Sequence, residues 1–437
     1  MYEQATVSET LKLLSYFSPP QYYHIFMGAN KNKPDSRILD TISATLTTGK
    51  PGDVYAVAFD KGEQLRLVFS KNGTATPEDK QAAKDLVNLV TNPAASLNDM
   101  YPYLFSRCWI RINKLLHKAH ESSCEVLPLW KEALNHYPYY SGNLTEELPG
   151  FQESTLHKFQ YGNGPLPSFP QIVDDLVQEL IDLSSSEIPE DREFYWTAWI
   201  RYSSLAVDAT IILRSKFLEH LVSHPTYKDT AKKFQKRIAK IRWYYHDMNH
   251  LINRARCLTR DISICWADSV VTINEHVTLP EDYLESLRRN LPDGFPQTDE
   301  QIRDEVEKEV PEIAQKWAAG SSIQTCLHAE VRLILYFLQT TSSRNPQAFG
   351  CSKQSCVACT LWIGAYNRLF NAGWGTSRIG GKVDYTWAIP TFCHGNQQRR
   401  INYSVSRRLS GLLEIMLDNL WPDQVKGEDF CFSFPDY

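Results

Sequence analysis

Residues 351–359 read CSKQSCVAC, which places three cysteines within nine positions of a 437-residue chain that carries ten in all. Such a cluster occurs as a disulfide knot, as a structural metal clip or as part of an active site. Residues 1–21 hold no basic segment followed by an apolar run, and no stretch approaches about eighteen consecutive apolar residues, so we expect neither a secretory signal nor a membrane span. In a cytoplasmic or nuclear protein thiols stay reduced, and the cluster is then expected to bind metal or to take part in catalysis.

The composition is that of an ordinary globular protein, with 43% hydrophobic and 22% charged residues. The length predicts about two or three domains. The formal net charge of -5 excludes a global basic field that would attract duplex nucleic acid or an anionic membrane. The charge therefore favours a small-molecule substrate, and a nucleic-acid substrate would need a local basic patch.

A second motif lies upstream of the cysteines, where residues 328–330 read HAE. The apolar run that follows, residues 331–338, predicts a helix that is buried on most sides. Residues 356–359 read CVAC and place two thiols at positions i and i+3, which share one face of a helix. An imidazole and two thiolates are ligands that zinc prefers, so the two motifs together form a candidate zinc site.

His328, Cys356 and Cys359 would give zinc three protein ligands and leave the fourth tetrahedral position for water, the arrangement of catalytic rather than structural sites. Zinc lowers the pKa of bound water to about 7 and so makes hydroxide available at neutral pH. Glu330 lies two residues from a ligand and is the candidate group that passes protons between this water and a substrate nitrogen.

HAE followed by CVAC, with 28 positions from His328 to Cys356, resembles the zinc-dependent deaminase superfamily, whose signature is H-x-E followed by P-C-x-x-C. The stretch AFGCSKQSCVAC is also similar to uncharacterised deaminase-like proteins of fungi. The resemblance implies Zn2+ on His328, Cys356 and Cys359, with Glu330 as the proton shuttle. It implies a three-layer α/β/α fold of the cytidine deaminase type, and hydrolytic removal of an exocyclic amine from a nucleobase, nucleoside, nucleotide or single-stranded nucleic acid. One departure is Ser355, which stands where the superfamily usually has proline and which could cap the following helix instead.

The superfamily fold begins with a helix and two strands, and the sequence offers that order far upstream of HAE. Residues 36–47 predict a helix, and two β-rich runs around the turn-like DKGE predict a hairpin over residues 54–73. A surface loop tolerates a long insertion because closure entropy grows slowly with length. We therefore predict four parts: an N-terminal helical extension over 1–35, a split α/β domain formed by 36–73 and 321–437, and a mostly α-helical insertion over 74–320.

Residues 261–280 are the competing source of that hairpin, because DISICWADSVVTINEHVTLP also predicts a strand pair. Pairing of these strands with the sheet of the metal site would make the split domain wrong. After the cysteines, SRIGGKVDYTWAIP at 377–390 predicts a further strand.

Four side chains are candidates for substrate contacts besides the zinc site. Asn72, just after the predicted hairpin, matches loosely the asparagine that often holds the substrate in the superfamily. Deaminases read a base partly by aromatic stacking, which makes Trp374, Tyr385 and Trp387 candidates, and His394 follows them in the chain. Each aromatic side chain on its own is more typical of a packed core.

Three other interpretations stay open at this point. A closed zinc clip of Cys326, Cys351, Cys356 and Cys359 would leave His328 without a role. The histidine and the cysteines would also suit a plain core, because free cysteine packs as a small hydrophobe. Finally, the domain could be a catalytically silent, zinc-stabilised interaction module, in which a protein partner or a second copy of the chain binds through the helical insertion.

One predicted helix of the insertion carries two polar patterns. His246 and His250 stand at i and i+4, but the zinc-protease pattern needs a glutamate where Asp247 stands, so a polar face or an interhelical hydrogen bond is favoured. Lysines recur every four residues, which fits a phosphate-contacting stripe but is more typical of a solvated face; they are Lys228, Lys232, Lys236 and Lys240.

Overall fold

The computed structural model describes residues 4–17, 35–62, 64–137, 143–154, 156–161, 164, 167–185, 195–257, 261–270, 275–291, 297–340, 348–376, 380–391 and 395–420. Within these residues no helix combines the length and the apolar character needed to cross a bilayer. The chain forms two compact units. Unit 1 comprises the described residues within Met1–Ser43, Val54–Thr76 and Ser263–Tyr437, and unit 2 those within Ala44–Asp53 and Pro77–Ile262.

The described residues form fifteen α-helices and six β-strands. In chain order the helices are α1 (Gln4–Leu14), α2 (Ser36–Leu46), α3 (Pro77–Thr91), α4 (Tyr101–His136), α5 (Leu144–Glu147), α6 (Phe169–Ser185), α7 (Tyr195–Arg214), α8 (Lys216–Ser223), α9 (Lys228–Ala255), α10 (Tyr283–Asn290), α11 (Asp299–Glu309), α12 (Ile313–Ala319), α13 (Ala329–Thr340), α14 (Val357–Phe370) and α15 (Gly395–Asp418). The strands are β1 (Tyr55–Lys61), β2 (Leu65–Lys71), β3 (Ser263–Trp266), β4 (His276–Thr278), β5 (Ser322–Gln324) and β6 (Phe349–Cys351).

The hairpin predicted over residues 54–73 is confirmed by the pairing of β1 with β2. The two strands are antiparallel, with Tyr55 opposite Lys71. Ala56 and Ala58 face the main apolar core of unit 1, and Tyr55 points to the opposite face of the sheet, where it is also buried. Burial on both faces explains why β1 reads as an almost unbroken apolar run.

The hairpin forms the centre of a four-stranded sheet with the order β3–β2–β1–β6. β6 is antiparallel to β1, with Cys351 opposite Ala56. β3 is parallel to β2, and the ring of Trp266 stacks on the ring of Phe69 with centroids 5.4 Å apart. The sheet therefore joins the early hairpin directly to the first cysteine of CSKQSCVAC.

The strands within residues 261–280 differ from the hairpin that the sequence predicted there. β3 joins the four-stranded sheet beside β2, whereas β4 pairs with β5 in a separate two-stranded sheet. β4 and β5 are each three residues long and share the apolar pair Val277 and Ile323. One strand of residues 261–280 therefore does pair with the sheet of the metal site, so the split domain as predicted, without these residues, is incomplete. The β1–β2 hairpin stays at the centre of the sheet, and the hairpin predicted within 261–280 is wrong because β3 and β4 lie in different sheets.

β6 lies very close to α2 at Gly350. A Cβ atom on Gly350 would stand 2.0 Å from the carbonyl carbon of Leu39 and 2.2 Å from the backbone nitrogen of Asp40. The next residue, Cys351, donates its backbone N–H to Oδ1 of Asp40 at 3.0 Å. The absent side chain allows the helix to approach, and the aspartate satisfies a buried backbone donor.

Helices cover the sheet and complete the core of unit 1. α13 packs across β1 and β2, α14 packs against α13 and α15, and α15 packs against α1 and α10. The largest fully buried side chains of this core include Trp317, Trp362 and Trp387. Unit 1 is therefore a mixed α/β assembly, and α1 is part of its packing rather than an extension.

Unit 2 is built from helices in its described part. α4 packs against α6, α7 and α9, and α9 also contacts α3 and α8. Nε2 of His246 lies 2.9 Å from Oγ1 of Thr210 on α7, which confirms the interhelical hydrogen bond expected for this histidine. On the same helix Lys233 pairs with Glu125 of α4 at 2.7 Å.

The boundary of the helical insertion differs from the predicted range 74–320. Unit 2 ends at Ile262, and the following residues up to 320 belong to unit 1. There α10 packs against α1 and α12, so these charged helices cover the apolar core of the α/β unit. Their amphipathic pattern resembles that of the preceding helices and does not reveal which core they bury.

Candidate metal centre

The start of α13 carries His328 and Glu330. His328 immediately precedes the helix, and its carbonyl oxygen accepts a hydrogen bond from the backbone N–H of Arg332 at 2.9 Å. The backbone N–H of Ala329 donates to Oδ1 of Asn72 at 2.7 Å. Because Asn72 follows β2, this bond ties the end of the hairpin to the first turn of the helix. The structure thus brings Asn72 next to the two motif residues.

Cys356 occupies the N-cap position of α14, with an extended backbone at φ -72° and ψ 168°. Its Sγ accepts a hydrogen bond from the backbone N–H of Cys359 at 3.4 Å. Ser355, expected as the cap, stands one residue too early, so the sulfur of Cys356 takes that role. Unpaired N–H groups at a helix start favour a thiolate, the form in which cysteine binds zinc.

Three ligand atoms converge at the two helix starts. Nδ1 of His328 lies 3.5 Å from Sγ of Cys356 and 3.4 Å from Sγ of Cys359. A tetrahedral zinc ion, with bonds of about 2.3 Å to sulfur and about 2.0 Å to nitrogen, separates such atoms by roughly 3.5 Å. The spacing and the donor set therefore fit zinc. Elsewhere in the described ranges no group of three such side chains converges in this way.

The cluster is buried, and its groups shift one another's pKa values. His328 is 4% exposed, Cys356 7% and Cys359 0%. A hydrogen bond from Cys359 lowers the pKa of Cys356 to about 5, against the effect of burial, and the His328 ring adds to the lowering. Burial raises the pKa of Cys359. The cluster can therefore hold one thiolate without a metal. A bound cation would replace the proton of the second thiol and would compensate the buried negative charge of the two thiolates.

Glu330 lies beside the ligands and is 2% exposed. Its Oε2 is 3.9 Å from Sγ of Cys359. Burial raises the pKa of the Glu330 carboxyl group, while His328 and a hydrogen bond from the Ser355 side chain lower it by less. The residue that replaces the usual proline therefore contacts the candidate proton shuttle.

Asp384 is a polar neighbour of the site that the sequence did not reveal. Its Oδ2 lies 3.7 Å from Nε2 of His328. Burial on its own would raise the pKa of Asp384, but His328 and hydrogen bonds from Thr386 bring it below its usual value. No motif surrounds Asp384 in the chain, and only its place in the fold identifies it.

The strand predicted over residues 377–390 is a loop in its described part. Its backbone bonds go to both helix starts: Gly380 donates to the carbonyl of Ser355 at 3.1 Å, and Cys326 donates to the carbonyl of Thr386 at 2.7 Å. A single bridge joins Trp387 to Cys326. Two glycines at 380 and 381 weaken a strand, and the segment instead bonds to the backbone next to the candidate metal ligands.

The three aromatic candidates for base stacking differ in their surroundings. The ring of Trp374 packs against Phe337, with centroids 5.2 Å apart, and Trp387 is fully buried in the core. Tyr385 is half-buried, and the ammonium of Lys12 lies 4.1 Å from its ring centroid. The two tryptophans therefore serve the core of unit 1. His394 lies outside the described residues.

The structure also distinguishes the cysteines of CSKQSCVAC. Cys351 ends β6 and is buried, with its Sγ 3.9 Å from Oγ of Ser355. Neither Cys351 nor Cys326 belongs to the convergent group of ligand atoms. Within the described residues the four-cysteine clip is therefore not formed.

Comparison with known families agrees with this geometry. A family model described as OTT_1508_deam-like deaminase matches residues 327–391. This segment is deaminase-like. It contains both helix starts, the three convergent ligand atoms and the loop with Asp384. No curated protein and no solved structure matches the chain.

Proposed function

We propose that this chain is a zinc-dependent hydrolytic deaminase that acts on a nucleobase-type ring, free or as a nucleoside, nucleotide or single-stranded nucleic acid. The observation that carries the proposal is the convergence of His328 Nδ1 with the sulfurs of Cys356 and Cys359 beside the buried Glu330. These three ligands leave a fourth tetrahedral position for water. Zinc held there would supply a Lewis acid that activates water at neutral pH.

Glu330 is the residue to which we assign the proton transfers. It would accept a proton from water and donate it to a ring nitrogen, and would then accept the remaining proton of the added hydroxyl group and donate it to the departing amine. Burial raises the pKa of its carboxyl group toward neutral pH, which suits a group that must both accept and donate protons. The hydrogen bond from Ser355 would hold the carboxyl group in place.

Asn72 is the described residue best placed to meet substrate beside the zinc ligands. Its Oδ1 is engaged by the backbone of Ala329, which leaves its amide group as a donor. A substrate carbonyl or hydroxyl would suit this donor. Loss of substrate affinity in Asn72→Ala, measured as a raised KM with the fold intact, would support the assignment, and an unchanged KM would contradict it.

We also propose the three-layer fold of the cytidine deaminase type for the split α/β unit, in which residues 263–320 join the predicted segments 36–73 and 321–437. The support is the order α2–β1–β2, the packing of α13 on both hairpin strands, and the pairing of β6 with β1. An experimental structure in which the hairpin did not pair with β6 would contradict this arrangement. In a separate proposal, the helices of unit 2 offer surfaces for a partner protein or for a second copy of the chain. Size-exclusion chromatography with light scattering would detect such a complex.

Ammonia release tests the proposed activity. The zinc-loaded protein would be incubated with bases, nucleosides, nucleotides and single-stranded oligonucleotides, and ammonia would be measured enzymatically. Glu330→Gln is expected to lower the rate on an active compound by about 10²- to 10⁴-fold while zinc stays bound. Glu300→Gln, on an exposed position of α11, is the matched control and should leave the rate unchanged. If no compound gives release that Glu330→Gln abolishes, a silent zinc-stabilised interaction module is the better conclusion.

A further inference from the structure

We infer that Asp384 is the residue that positions His328 for metal binding, an inference that rests on the proposed zinc site. A histidine that binds a metal through Nδ1 carries its proton on Nε2. Nε2 of His328 is buried and has no hydrogen-bond partner among the described residues. A carboxylate oxygen, Oδ2 of Asp384, lies 3.7 Å away. A shift of less than 1 Å would make this contact a charge-assisted hydrogen bond.

Asp384 is already oriented for this role. The backbone N–H and the hydroxyl of Thr386 both donate to its Oδ1, at 3.1 and 2.7 Å. These bonds leave Oδ2 to face the imidazole. Metal-binding histidines commonly donate their second N–H to a carboxylate, which fixes the ring orientation and raises the basicity of the ligating nitrogen.

The N-terminal helix holds the loop that carries Asp384. Nε2 of Gln4 donates to the carbonyl of Trp387 at 3.0 Å, and the backbone N–H of Ile389 donates to Oε1 of Gln4 at 2.7 Å. On the same helix the ammonium of Lys12 lies 4.1 Å from the ring centroid of Tyr385, the residue next to Asp384. Contacts of α1 thus lie along residues 385–389, so a helix more than three hundred positions upstream helps to place the carboxylate.

Cys326 is the alternative partner for the same ring, because its thiol is close enough to influence the His328 imidazole, although Nε2 makes no hydrogen bond of normal geometry. A thiol is a weak acceptor, whereas a hydrogen bond to a carboxylate is roughly twice as strong as one between neutral groups. The carboxylate is therefore the better partner for the imidazole N–H. Variants of Cys326 and Asp384 distinguish the two.

Zinc affinity measured by competition with a chromophoric chelator, at one fixed pH, tests the inference without an activity assay. Asp384→Ala should weaken zinc binding by about 10- to 100-fold. Asp384→Asn should weaken it by less, because the amide oxygen still accepts a hydrogen bond. Asp304→Asn, on an exposed position of α11, is the matched control and should bind zinc as the unaltered protein does. Gln4→Ala should weaken binding in the same direction as Asp384→Ala, through the loop.

Cobalt substitution gives a signature that a general loss of stability would not produce. Asp384→Ala should shift the absorption of the cobalt-substituted protein, because the ligand field at His328 changes. Zinc binding as tight as in the unaltered protein would overturn the inference, as would a loss seen with Cys326→Ala but not with Asp384→Ala. If the unaltered protein binds no zinc, or His328→Ala binds it undiminished, the proposed metal site itself fails.

Discussion

At the residue scale, Cys356 has a structural function and a proposed metal-binding function. Its sulfur caps α14 by accepting the backbone N–H of Cys359, and the same sulfur lies 3.5 Å from Nδ1 of His328. A substitution that preserves capping and removes the thiolate would separate these functions. Serine is such a residue, since its hydroxyl is among the preferred N-caps but does not replace a zinc-bound thiolate.

Cys356→Ser is expected to lose stoichiometric zinc while α14 stays folded. The zinc content of the purified protein, measured by mass spectrometry of the metal, should fall well below one ion per chain, with little change in helical circular dichroism. Cys124→Ser, at an exposed cysteine of α4, should keep its zinc. Retention of one zinc ion by Cys356→Ser would show that this cysteine is not a ligand.

The residues of the two motifs could be predicted because zinc chemistry fixes the donor types and the helix fixes their spacing. Asp384 could not be predicted, because it reaches His328 through a loop whose course depends on α1 and on the start of α14. The sequence marks Ser355 as a departure from the family pattern, but its contact with Glu330 is a tertiary one. Roles that depend on tertiary contacts leave no periodic or spaced signal in the chain.

At the scale of elements, the crossing of β6 and α2 depends on a missing side chain. The backbone of Leu39 and Asp40 would be within 2.3 Å of a Cβ on Gly350, and backbone cannot move aside as a flexible side chain does. A side chain at this position would push β6 away from α2. That displacement would disturb the pairing of β6 with β1 and the position of Cys351.

Gly350→Ala is therefore expected to reduce the free energy of unfolding by about 3 kcal/mol or more, or to prevent folding. Urea denaturation followed by circular dichroism would measure the loss. Gly411→Ala, in the interior of α15, is the matched control, since no described atom beyond its own stretch of helix lies within 4 Å of the place that a Cβ would take. That change should raise the free energy of unfolding by about 0.5 to 1 kcal/mol. Equal effects of the two variants would contradict the close approach at β6.

The hairpin was the most predictable element, because β1 and β2 carry strong β-formers around a short turn. The sequence predicts β3 as a strand but does not predict its partner, because a four-residue strand fits any sheet edge. The parallel pairing with β2 depends on the return path of the chain after unit 2. The stacking of Trp266 on Phe69 then fixes its register.

At the scale of the whole molecule, one buried carboxyl group should give stability a pH dependence. Asp208 in α7 is fully buried, and neither of its oxygens has a hydrogen-bond partner among the described residues. Burial, with a smaller contribution from Glu179, raises the pKa of Asp208 to about 8. In an unfolded chain the pKa would be about 4.

Between about pH 4 and pH 8 the folded state thus keeps a proton that the unfolded state has released, so the free energy of unfolding should fall as the pH rises. Asp208→Asn removes this titration and should be more stable than the unaltered protein at pH 8, by on the order of a few kcal/mol. Urea denaturation at pH 5 and pH 8 would give the free energies of unfolding of the unaltered protein and of Asp208→Asn for comparison. The idea fails if both proteins lose stability equally over this range. Asp175→Asn, at a less buried position in α6, serves for comparison.

The two-part organisation was predictable in outline, because helix-period sequence separates the hairpin from HAE. Its boundary was not, since α10 to α12 carry the same charged, amphipathic pattern as the helices of unit 2. Amphipathicity shows that one face of a helix is buried. The contacts of α10 with α1 show that the core of unit 1 covers this face.

The strand order has a consequence for how the chain is made. β1 and β2 leave the ribosome together, but β3 follows about 190 residues later and β6 about 280 residues later. At roughly 5 to 20 residues per second, the hairpin waits on the order of 15 to 60 s for its last neighbour. Until β3 emerges both edges of the hairpin are open to other nascent chains, and the β1 edge stays open until β6 follows. This protein should therefore depend on chaperones more heavily than its modest sheet would suggest.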